Sequence, residues 1–311
     1  MRATHASSSA IMLIVASTLC FAALDTIVKH LAPHYPVPLL VWARWGFQAA
    51  VMALWLGPSM RLDLVRTPRP KLQIARGLVI VCSALLFMSA LKYMPLADAT
   101  ALNYSSPMLV IVMAVLCLNE RMTRARMLFV VAGIIGMLLI VRPGSDIFRG
   151  ASLLALTAAF VYATFQILTR MVADEDPRVT LFYPALVCAL VMTPVLPFLD
   201  TRPHVPVTDV LLICTAGVLG TLGHFLFILA FQRGTATELT PFTYMQLVWA
   251  MLIGWIVFDE FPDHWALAGM AIIAGSGLAM AWHERRRVES MPPVSPVAVR
   301  ARSIAEPTAV D

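Results

Sequence analysis

Charged residues are scarce in this chain of 311 residues: Asp, Glu, Lys and Arg make up 13% of it, whereas 59% of the residues are hydrophobic. A soluble domain typically carries about 25% charged and about 45–50% apolar residues. The mean hydropathy of +0.80 is too high for the apolar side chains to be hidden inside soluble cores. The composition therefore excludes an ordinary soluble protein and favours a protein whose solvent is lipid.

Cysteine is also scarce, and the motifs of several kinds of site are missing. The five cysteines lie within apolar runs without a C-x-x-C pair, which argues against a disulfide framework and against a zinc site. No H-E-x-x-H, G-x-S-x-G or Walker A pattern occurs. Basic residues stand in short clusters between apolar runs, which is typical of membrane topology and not of nucleic-acid binding. We therefore expect no metal, no cofactor and no nucleic-acid partner.

Long apolar runs are what the chain has in abundance. A helix of about 17–25 apolar residues crosses the hydrocarbon core of a bilayer, and ten such runs occur: 9–29, 37–57, 74–93, 98–118, 124–141, 150–171, 179–199, 208–231, 237–258 and 264–282. The first run lacks a signal-peptide cleavage site, so we interpret it as a retained span. Residues 1–8 form a short N-terminal segment, and the polar, Pro-rich residues 283–311 are predicted to be a disordered tail.

An internal repeat divides the chain into two halves, 9–141 and 150–282. An offset of 140 positions aligns Thr100 with Thr240 and Tyr104 with Tyr244, and it also aligns Glu120 with Glu260. Each half has five spans, an odd number, so the second half enters the membrane in the opposite orientation. The sequence therefore predicts an all-α polytopic membrane protein of ten transmembrane helices in two inverted five-helix repeats.

The distribution of basic residues agrees with this topology. If the N-terminus is cytoplasmic, sixteen Lys and Arg fall on the inside, and five fall on the outside: Lys29, Lys92, Arg142, Arg149 and Arg202. Such a bias follows the positive-inside rule. The turn around Arg121 is basic, whereas its repeat equivalent at 259–263 has no Lys or Arg. We expect a multi-pass protein of the bacterial inner membrane with both termini in the cytoplasm.

The third and fourth spans carry a spaced motif: Ala90-Leu91-x-Tyr93-x-Pro95-Leu96-Ala97, then Pro107, then Leu118-Asn119-Glu120-Arg121 leading into Gly133. This combination resembles the drug/metabolite transporter superfamily, and within it the EamA family of ten-span carriers. The resemblance implies a central cavity lined by spans one to four and six to nine, with spans five and ten outside it. Small residues in those two spans, Gly136 and Gly275 among them, are expected to allow close helix packing.

Two charged residues inside spans are the first candidates for function. Asp25 and Arg44 lie nine or ten residues from the centre of the first hairpin and so reach a similar depth. They form either a salt bridge that fixes the hairpin or a cavity-facing pair, in which Arg44 holds an anionic substrate group and Asp25 acts as a gate or proton acceptor. Lys29 lies one turn beyond Asp25, where we expect its ammonium group to reach the outer interface.

The other candidates lie on polar or aromatic faces of the spans. Gln166 is the repeat equivalent of Asp25, and Tyr104 and Tyr244 are expected to face each other across a pseudo-two-fold axis. The complete set of predicted substrate-binding or gating residues is Asp25, Trp42, Arg44, Phe87, Asn103, Tyr104, Tyr162, Gln166, His224 and Tyr244. Aromatic surface combined with a few polar groups suits a planar ligand. Glu120 and Glu260 stand next to helix starts, where a carboxylate is favourable, and we interpret them as structural.

The predicted function is secondary transport of a small organic metabolite by alternating access. The family resemblance leaves amino acids, riboflavin-like compounds, S-adenosylmethionine-like compounds and opine-type metallophores as substrates. The expected partners are this small molecule and the lipid bilayer, with a homodimer as a further option. A passive channel and an intramembrane enzyme are the alternative functions.

Overall fold

The computed structural model describes residues 8–118, 122–142, 150–199, 205–234 and 236–289. Every helix or strand assigned within these ranges is a helix, and ten stretches are long and apolar enough to cross a membrane. The predicted all-α fold with ten spans is therefore confirmed. The remaining residues, which include Glu120, Arg121, Arg149, Arg202 and most of the predicted tail, lie outside the described ranges.

Twelve α-helices in the described ranges build the ten spans. The first half contains α1 (Ser8–Leu31), α2 (Val37–Met60), α3 (Pro70–Leu91), α4 (Leu96–Asn103), α5 (Ser106–Leu118) and α6 (Arg124–Val141). The second half contains α7 (Gly150–Arg170), α8 (Pro177–Met192), α9 (Val207–Arg233), α10 (Ala236–Thr243), α11 (Met245–Phe258) and α12 (His264–Glu289). A 3-10 turn, Thr193–Phe198, extends the seventh span beyond α8.

The starts of spans five and ten are fixed by side-chain caps. The hydroxyl of Thr123 accepts a hydrogen bond from the main-chain N–H of Arg126, and the carboxylate of Asp263 accepts one from the N–H of Ala266 at 3.0 Å. Such caps satisfy main-chain donors that have no partner inside the helix. The two caps stand at equivalent positions of the repeat, 140 residues apart.

Spans four and nine are each broken into two helices at equivalent positions. The fourth span ends one helix at Asn103 and resumes at Ser106, and the ninth ends one at Thr243 and resumes at Met245. In the fourth span Pro107 explains the break, because it lacks an N–H and its ring clashes with the carbonyl of Asn103. The ninth span has Leu247 at the equivalent position, so the same break occurs there without the same proline.

The end of the last span differs from the prediction. Helix α12 continues to Glu289, so residues 283–289 are helical and do not belong to a disordered tail. The guanidinium of Arg286 lies 3.6 Å from the centre of the Trp282 ring, a stacked geometry that stabilises the extra turns. Basic side chains are also favourable at the C-terminal end of a helix.

The strongest helix contacts join the two halves and follow the repeat. Helix α1 packs on α9 and α3 packs on α7, which are equivalent pairs when the halves are exchanged. The pair α2 and α8 and the pair α6 and α12 each map onto themselves when the halves are exchanged. The two repeats therefore interleave about one pseudo-two-fold axis. Spans five and ten pack on each other, as the predicted division of the bundle requires.

The two ends of the bundle are named here by the chain itself. The near side is the end at which α1 begins, and it also carries the turns at 61–69 and 171–176. The far side carries the turns at 32–36, 92–95 and 259–263. Successive spans therefore run in opposite directions between these two sides.

Candidate functional site

A chain of polar side chains crosses the centre of the bundle between the halves. The amide nitrogen Nε2 of Gln246 donates to Oδ2 of Asp25 at 3.3 Å. The hydroxyl of Tyr104 lies 3.1 Å from Oε1 of the same glutamine. Gln246 thus joins two residues of the first half through a side chain of the second. Asp25 and Gln246 are both only partly buried.

The break in the ninth span explains the position of Tyr104. The N–H of Leu247 bonds to the carbonyl of Tyr244 instead of that of Thr243. The carbonyl of Thr243 is therefore free of the helix ladder, and the hydroxyl of Tyr104 donates to it at 2.6 Å. A main-chain carbonyl in a membrane interior needs such a partner. Tyr104 therefore stabilises the broken helix of the opposite repeat.

The rings of the two repeat-related tyrosines pack together, but their hydroxyl groups contact different helices. The ring centres of Tyr104 and Tyr244 are 5.3 Å apart, as the repeat predicted. The hydroxyl of Tyr244 lies against Gly277 of α12, so close that a Cβ there would be 1.9 Å from it. Only 7% of Tyr244 is exposed. Its hydroxyl group is therefore packed against span ten, while its ring contacts that of Tyr104.

Arg44 occupies a second region, bounded by aromatic rings. Its guanidinium stacks over Trp45 at 4.6 Å from the ring centre. His224 lies 6.3 Å from Trp45 and 4.9 Å from Phe21, centre to centre. Gly220 on α9 lies next to the Nε atom of Arg44, since a Cβ there would be 3.7 Å from it. The structure therefore brings His224 and Arg44 into contact with the same aromatic residue, Trp45.

Asp25 and Arg44 interact electrostatically, but the structure does not join them. Among the described residues no ion pair is formed between them within 4.0 Å, although both lie on the first hairpin. The interpretation of these residues as a direct salt bridge is therefore not supported. The two charged groups have different contacts: Asp25 accepts a hydrogen bond from Gln246, and Arg44 lies over the ring of Trp45.

The remaining candidates are distributed around this centre. Nε1 of Trp42 donates to the hydroxyl of Thr193 at 3.0 Å, toward the far side. Nε2 of Gln166 lies 3.4 Å from the hydroxyl of Ser106 at the break in the fourth span. Tyr162 stacks on Phe165, with ring centres 5.9 Å apart.

Two further candidates are placed by burial and packing alone. Phe87 packs against the main hydrophobic core and is partly buried. Asn103 is partly buried at the end of α4, beside the break in the fourth span. Neither residue is brought to the two charges by a hydrogen bond among the described contacts.

Lys29 does not reach the outer interface, contrary to the expectation. Its side chain is 9% exposed, and Nζ lies 2.8 Å from a carboxylate oxygen of Glu260 and 2.7 Å from the carbonyl oxygen of Met94. Because Glu260 of the other half forms an ion pair with the ammonium group, the side chain of Lys29 does not extend toward the outer interface. Glu260 is therefore half of an ion pair that joins the repeats, and Asp263 is the residue that caps α12.

Further polar contacts close the far side. The hydroxyl of Tyr35 donates to Asp209 at 2.6 Å, and Arg142 pairs with Asp263. Burial opposes ionisation of Asp263, but the N–H of Ala266 and the guanidinium of Arg142 hold its pKa below the usual range. Both contacts connect the first repeat to the second.

The near side is closed by a comparable set. Arg69 forms two parallel hydrogen bonds to Asp174, at 2.8 and 2.9 Å. A main-chain hydrogen bond and this guanidinium lower the pKa of Asp174. Glu175 accepts hydrogen bonds from Thr67 at 2.6 Å and from Gln73 at 2.8 Å. The two repeats are thus joined by polar contacts at both ends of the central space.

Sequence reasoning gave too little weight to three residues. Gln246 is absent from the predicted set, yet it connects Asp25 with Tyr104. Trp45 is also absent, although its ring lies under the guanidinium of Arg44. Arg76 is the third, and it is 1% exposed inside the bundle. The available signal was a polar or amphipathic side chain within an apolar run, and it does not reveal which partner each residue meets.

Comparison with known proteins supplies independent information. The model of the EamA-like transporter family matches residues 8–142 and again residues 149–281. A solved crystal structure shares the fold with a TM-score of 0.63 at 20% identity, covering 92% of this chain and 99% of that chain. The two matches of the family model coincide with the predicted halves.

Several named relatives span most of the chain. An S-adenosylmethionine uptake transporter of Rickettsia conorii is 27% identical and covers 84% of this chain and 88% of its own. A riboflavin transporter of Brucella anthropi is 27% identical over 85% and 95%, and the pseudopaline exporter CntI of Pseudomonas aeruginosa is 27% identical over 88% and 95%. With two matches of the family model that together cover most of its length, this chain belongs to the EamA-like transporter family.

Proposed function

We propose that this protein is a secondary transporter that moves a small organic metabolite across the bacterial inner membrane by alternating access. The observation that carries the proposal is a polar centre between two inverted repeats, with polar contacts joining the repeats at both ends. Family membership and the printed names of the relatives support the role. Those names cover both uptake and export of chemically different compounds. They therefore do not specify one substrate for this chain.

The contacts at the two ends support alternation, because they are related by the repeat. Arg69 and Asp209 are equivalent under the offset of 140 residues, and so are Glu175 and Tyr35. On the near side Arg69 and its neighbours hold the turn of Asp174 and Glu175, and on the far side Asp209 holds Tyr35. Two similar halves that exchange conformations would release one set while keeping the other.

The proposed site lies between these two sets of contacts. Asp25, Arg44 and Tyr104 supply polar groups near the centre, with His224 and Gln246 beside them. Trp42, Phe87, Asn103, Tyr162, Gln166 and Tyr244 are proposed to complete its lining or to control access to it. The aromatic side chains among them offer surface for a planar part of the ligand.

We also propose that the near side faces the cytoplasm. The turns on the near side contain Arg61, Arg66 and Arg69, and α8 starts there with Arg178 in its first turn. The last helix also ends on this side, with Arg285 and Arg286. Retention of basic residues on the cytoplasmic side is the general rule for short membrane loops. Both chain termini would then be cytoplasmic.

Transport by purified protein in proteoliposomes tests the proposal. We expect saturable flux of at least one metabolite from a panel that includes S-adenosylmethionine, riboflavin and amino acids. Replacing Tyr104 by Ala should raise the apparent KM of the folded variant several-fold, because the ring and the bond to Thr243 are removed together. The matched control is Tyr93→Ala, since Tyr93 is 56% exposed at the far-side mouth.

Two results would contradict this function. Flux that rises linearly with concentration for every compound would indicate a passive channel. Equal flux through folded Tyr104→Ala and the parent, measured below saturation, would remove Tyr104 from the proposed site.

A further inference from the structure

An open pocket lies on the near side of the bundle, where the second span ends. It has a volume of about 550 Å³ and is lined by residues 58–63 and by Arg66. Helix α2 has 24 residues, which at about 1.5 Å each cover about 36 Å, a little more than the roughly 30 Å of a hydrocarbon core. The pocket therefore lies at the depth of the lipid headgroups, about 25 Å along the chain axis of α2 from Arg44.

Arginine side chains give this pocket an excess of positive charge. The guanidinium of Arg66 lies 3.3 Å from the carboxylate of Asp63, in an exposed ion pair. Arg61 is also exposed, and its guanidinium forms no hydrogen bond or ion pair with any residue that the structure describes. Two positive charges and one negative charge thus line the pocket, so it attracts anions.

The backbone at Arg61 has a conformation that an arginine seldom adopts. Its φ is 50° and its ψ is −125°, a sparsely populated region for any residue with a Cβ. The N–H of Arg61 bonds to the carbonyl of Gly57, which holds the chain in this sharp turn. Glycine would adopt the same turn with less strain. Strain of this kind is concentrated at functional positions, so the arginine side chain is expected to have a use there.

Exposed apolar side chains adjoin the pocket on the outer surface of the bundle. Leu62 is one of the lining residues, and Leu54 and Trp55 lie on α2 about one turn before the pocket. Each of these three side chains is at least 60% exposed. The ring of Trp55 also contacts Phe225 of α9, with ring centres 5.3 Å apart. The apolar surface below the arginines therefore extends over two spans.

The charged and the apolar surface together restrict the occupant. A soluble anion would contact the arginines but leave the apolar side chains uncovered. A phospholipid with a cationic choline headgroup would cover the apolar side chains but meet the excess positive charge. A phospholipid with a net negative headgroup satisfies both surfaces, because guanidinium groups bind phosphate through charge-assisted hydrogen bonds and basic groups at a membrane surface attract anionic lipids.

We infer that this near-side pocket binds one anionic phospholipid, with its phosphate between Arg61 and Arg66 and its acyl chains along Leu54 and Trp55. The indole ring of Trp55 lies near the headgroup level, where tryptophan is favourable. The site is on the outer surface of the bundle, so it is separate from the central space and adds a lipid-binding site to the proposed transport function.

Native mass spectrometry of the purified full-length protein tests the inference. The probes are phosphatidylglycerol and phosphatidylcholine with identical acyl chains. We expect the first phosphatidylglycerol to bind about fivefold or more tightly than phosphatidylcholine, since each basic group at a membrane surface contributes about that factor for an anionic lipid. Glycerol 3-phosphate and inorganic phosphate form a separate arm, and at equal concentration neither should displace the lipid.

Variants with opposite effects locate the site. Arg61→Gln should weaken phosphatidylglycerol binding about fivefold, whereas Asp63→Asn should tighten it several-fold, because a repelling carboxylate is removed and Arg66 is released. Lys71→Gln is the matched control: Lys71 is an exposed cation of the same side that does not line the pocket, so its loss should leave the binding unchanged. Phosphatidylcholine binding should be the same in all three variants.

A fourth variant separates the lipid from the fold. Arg61→Gly relieves the backbone strain and should raise the melting temperature in lipid-free detergent, while weakening phosphatidylglycerol binding as much as Arg61→Gln does. A merely structural arginine would not show this combination of higher stability and weaker binding.

Several results would overturn the inference. Equal affinity for the two lipids would exclude a headgroup site, and an equal loss in Arg61→Gln and Lys71→Gln would indicate general attraction to a basic surface. Displacement of phosphatidylglycerol by glycerol 3-phosphate at equal concentration would assign the pocket to a soluble anion. Unchanged or weaker binding in Asp63→Asn, or unchanged binding in Arg61→Gly, would place the lipid elsewhere.

Discussion

Asp25 is held by the opposite repeat and not by its neighbour on the hairpin. Its hydrogen bond comes from Gln246, which is 221 positions away in the sequence. Arg44 lies close enough to influence it electrostatically, but the two side chains stay apart. A rearrangement of the halves would therefore change the surroundings of Asp25 directly, since its partner moves with the ninth span.

The first prediction concerns exchange of these two charges. If Asp25 and Arg44 served only to neutralise each other, the double variant Asp25→Arg with Arg44→Asp would restore both folding and transport. We expect it to restore the amount of folded protein relative to single charge-removing variants, but not flux, because Asp25 and Arg44 have different partners that the exchange does not restore. Size-exclusion profiles and proteoliposome flux measure the two effects, and recovery of full flux would contradict the separate roles.

The second prediction concerns the pair Lys29 and Glu260. Removing one partner leaves the other charge partly buried, so Lys29→Met or Glu260→Gln should each cost about 2 kcal/mol, less than the 3–5 kcal/mol of a fully buried pair. The double variant should lower the free energy of unfolding by less than the sum of the two single variants. Thermal unfolding in detergent gives this double-mutant cycle.

An exposed ion pair on the near side is the matched control for that cycle. Arg66 and Asp63 are 72% and 71% exposed, so the same cycle there should give a coupling of about 0–1 kcal/mol. A coupling at Lys29 and Glu260 that is no larger than this control value would show that the ion pair does not hold the far side together.

At the scale of elements, close backbone contact joins spans five and ten. A Cβ on Gly136 would lie 2.8 Å from the carbonyl oxygen of Gly269, and a Cβ on Gly269 would lie 2.5 Å from that of Gly136. The small residue expected at Gly136 is therefore used for packing. The same expectation is wrong for Gly275, because nothing lies within 4 Å of a Cβ placed there.

The third prediction uses this contrast. Gly136→Ala should destabilise the protein by about 1–3 kcal/mol, since the added methyl group meets main-chain atoms that cannot move aside easily. Gly275→Ala should be neutral or slightly stabilising, because the space is open and alanine favours the helix. Thermal unfolding of both variants is the measurement. Equal stability of the two variants would refute the packing role.

At the scale of the whole molecule, the interleaved repeats allow both ends to be closed at once. Helices α1 and α3 of the first half pack on α9 and α7 of the second, so no single helix opens alone. The contacts that join the turns are polar and short, whereas those between the helices are extensive and apolar. Opening at one end is therefore expected to begin at the polar turns.

The fourth prediction follows from closure by these turns. In a cysteine-free background, Arg69→Cys with Asp174→Cys, joined by a short bifunctional thiol reagent, should stop transport, because the near side can no longer open. The pair Asp63→Cys with Arg66→Cys, cross-linked within one turn, should leave flux unchanged. Unaltered flux through the first cross-linked variant would show that the near-side contact is not part of the transport cycle.

The fifth prediction concerns orientation. A reporter that is active only in the periplasm, fused after Arg287, should be silent, because an even number of spans and the basic near-side turns place this end in the cytoplasm. The same reporter inserted between His34 and Tyr35 should be active. The reverse result would invert the proposed topology.

The sequence by itself determined the spans, the repeat and the family. The apolar runs are continuous over the length that a bilayer requires, and the repeat aligns Tyr104 with Tyr244 without a gap, so these features depend on local composition and spacing. The caps at Thr123 and Asp263 were predictable for the same reason, because a cap and its helix are adjacent in the chain.

Only the tertiary structure decided which polar residues meet. Lys29 pairs with Glu260, and Gln246 reaches Asp25, across more than 200 positions. The energy of such a contact depends on the distance between two helices that the chain connects only at long range, and no local pattern encodes that distance. The same holds for the two arginines, Arg44 and Arg76, which look alike within their apolar runs. Packing satisfies the guanidinium of Arg76 with hydrogen bonds and leaves the buried Nε atom of Arg44 without one among the described residues.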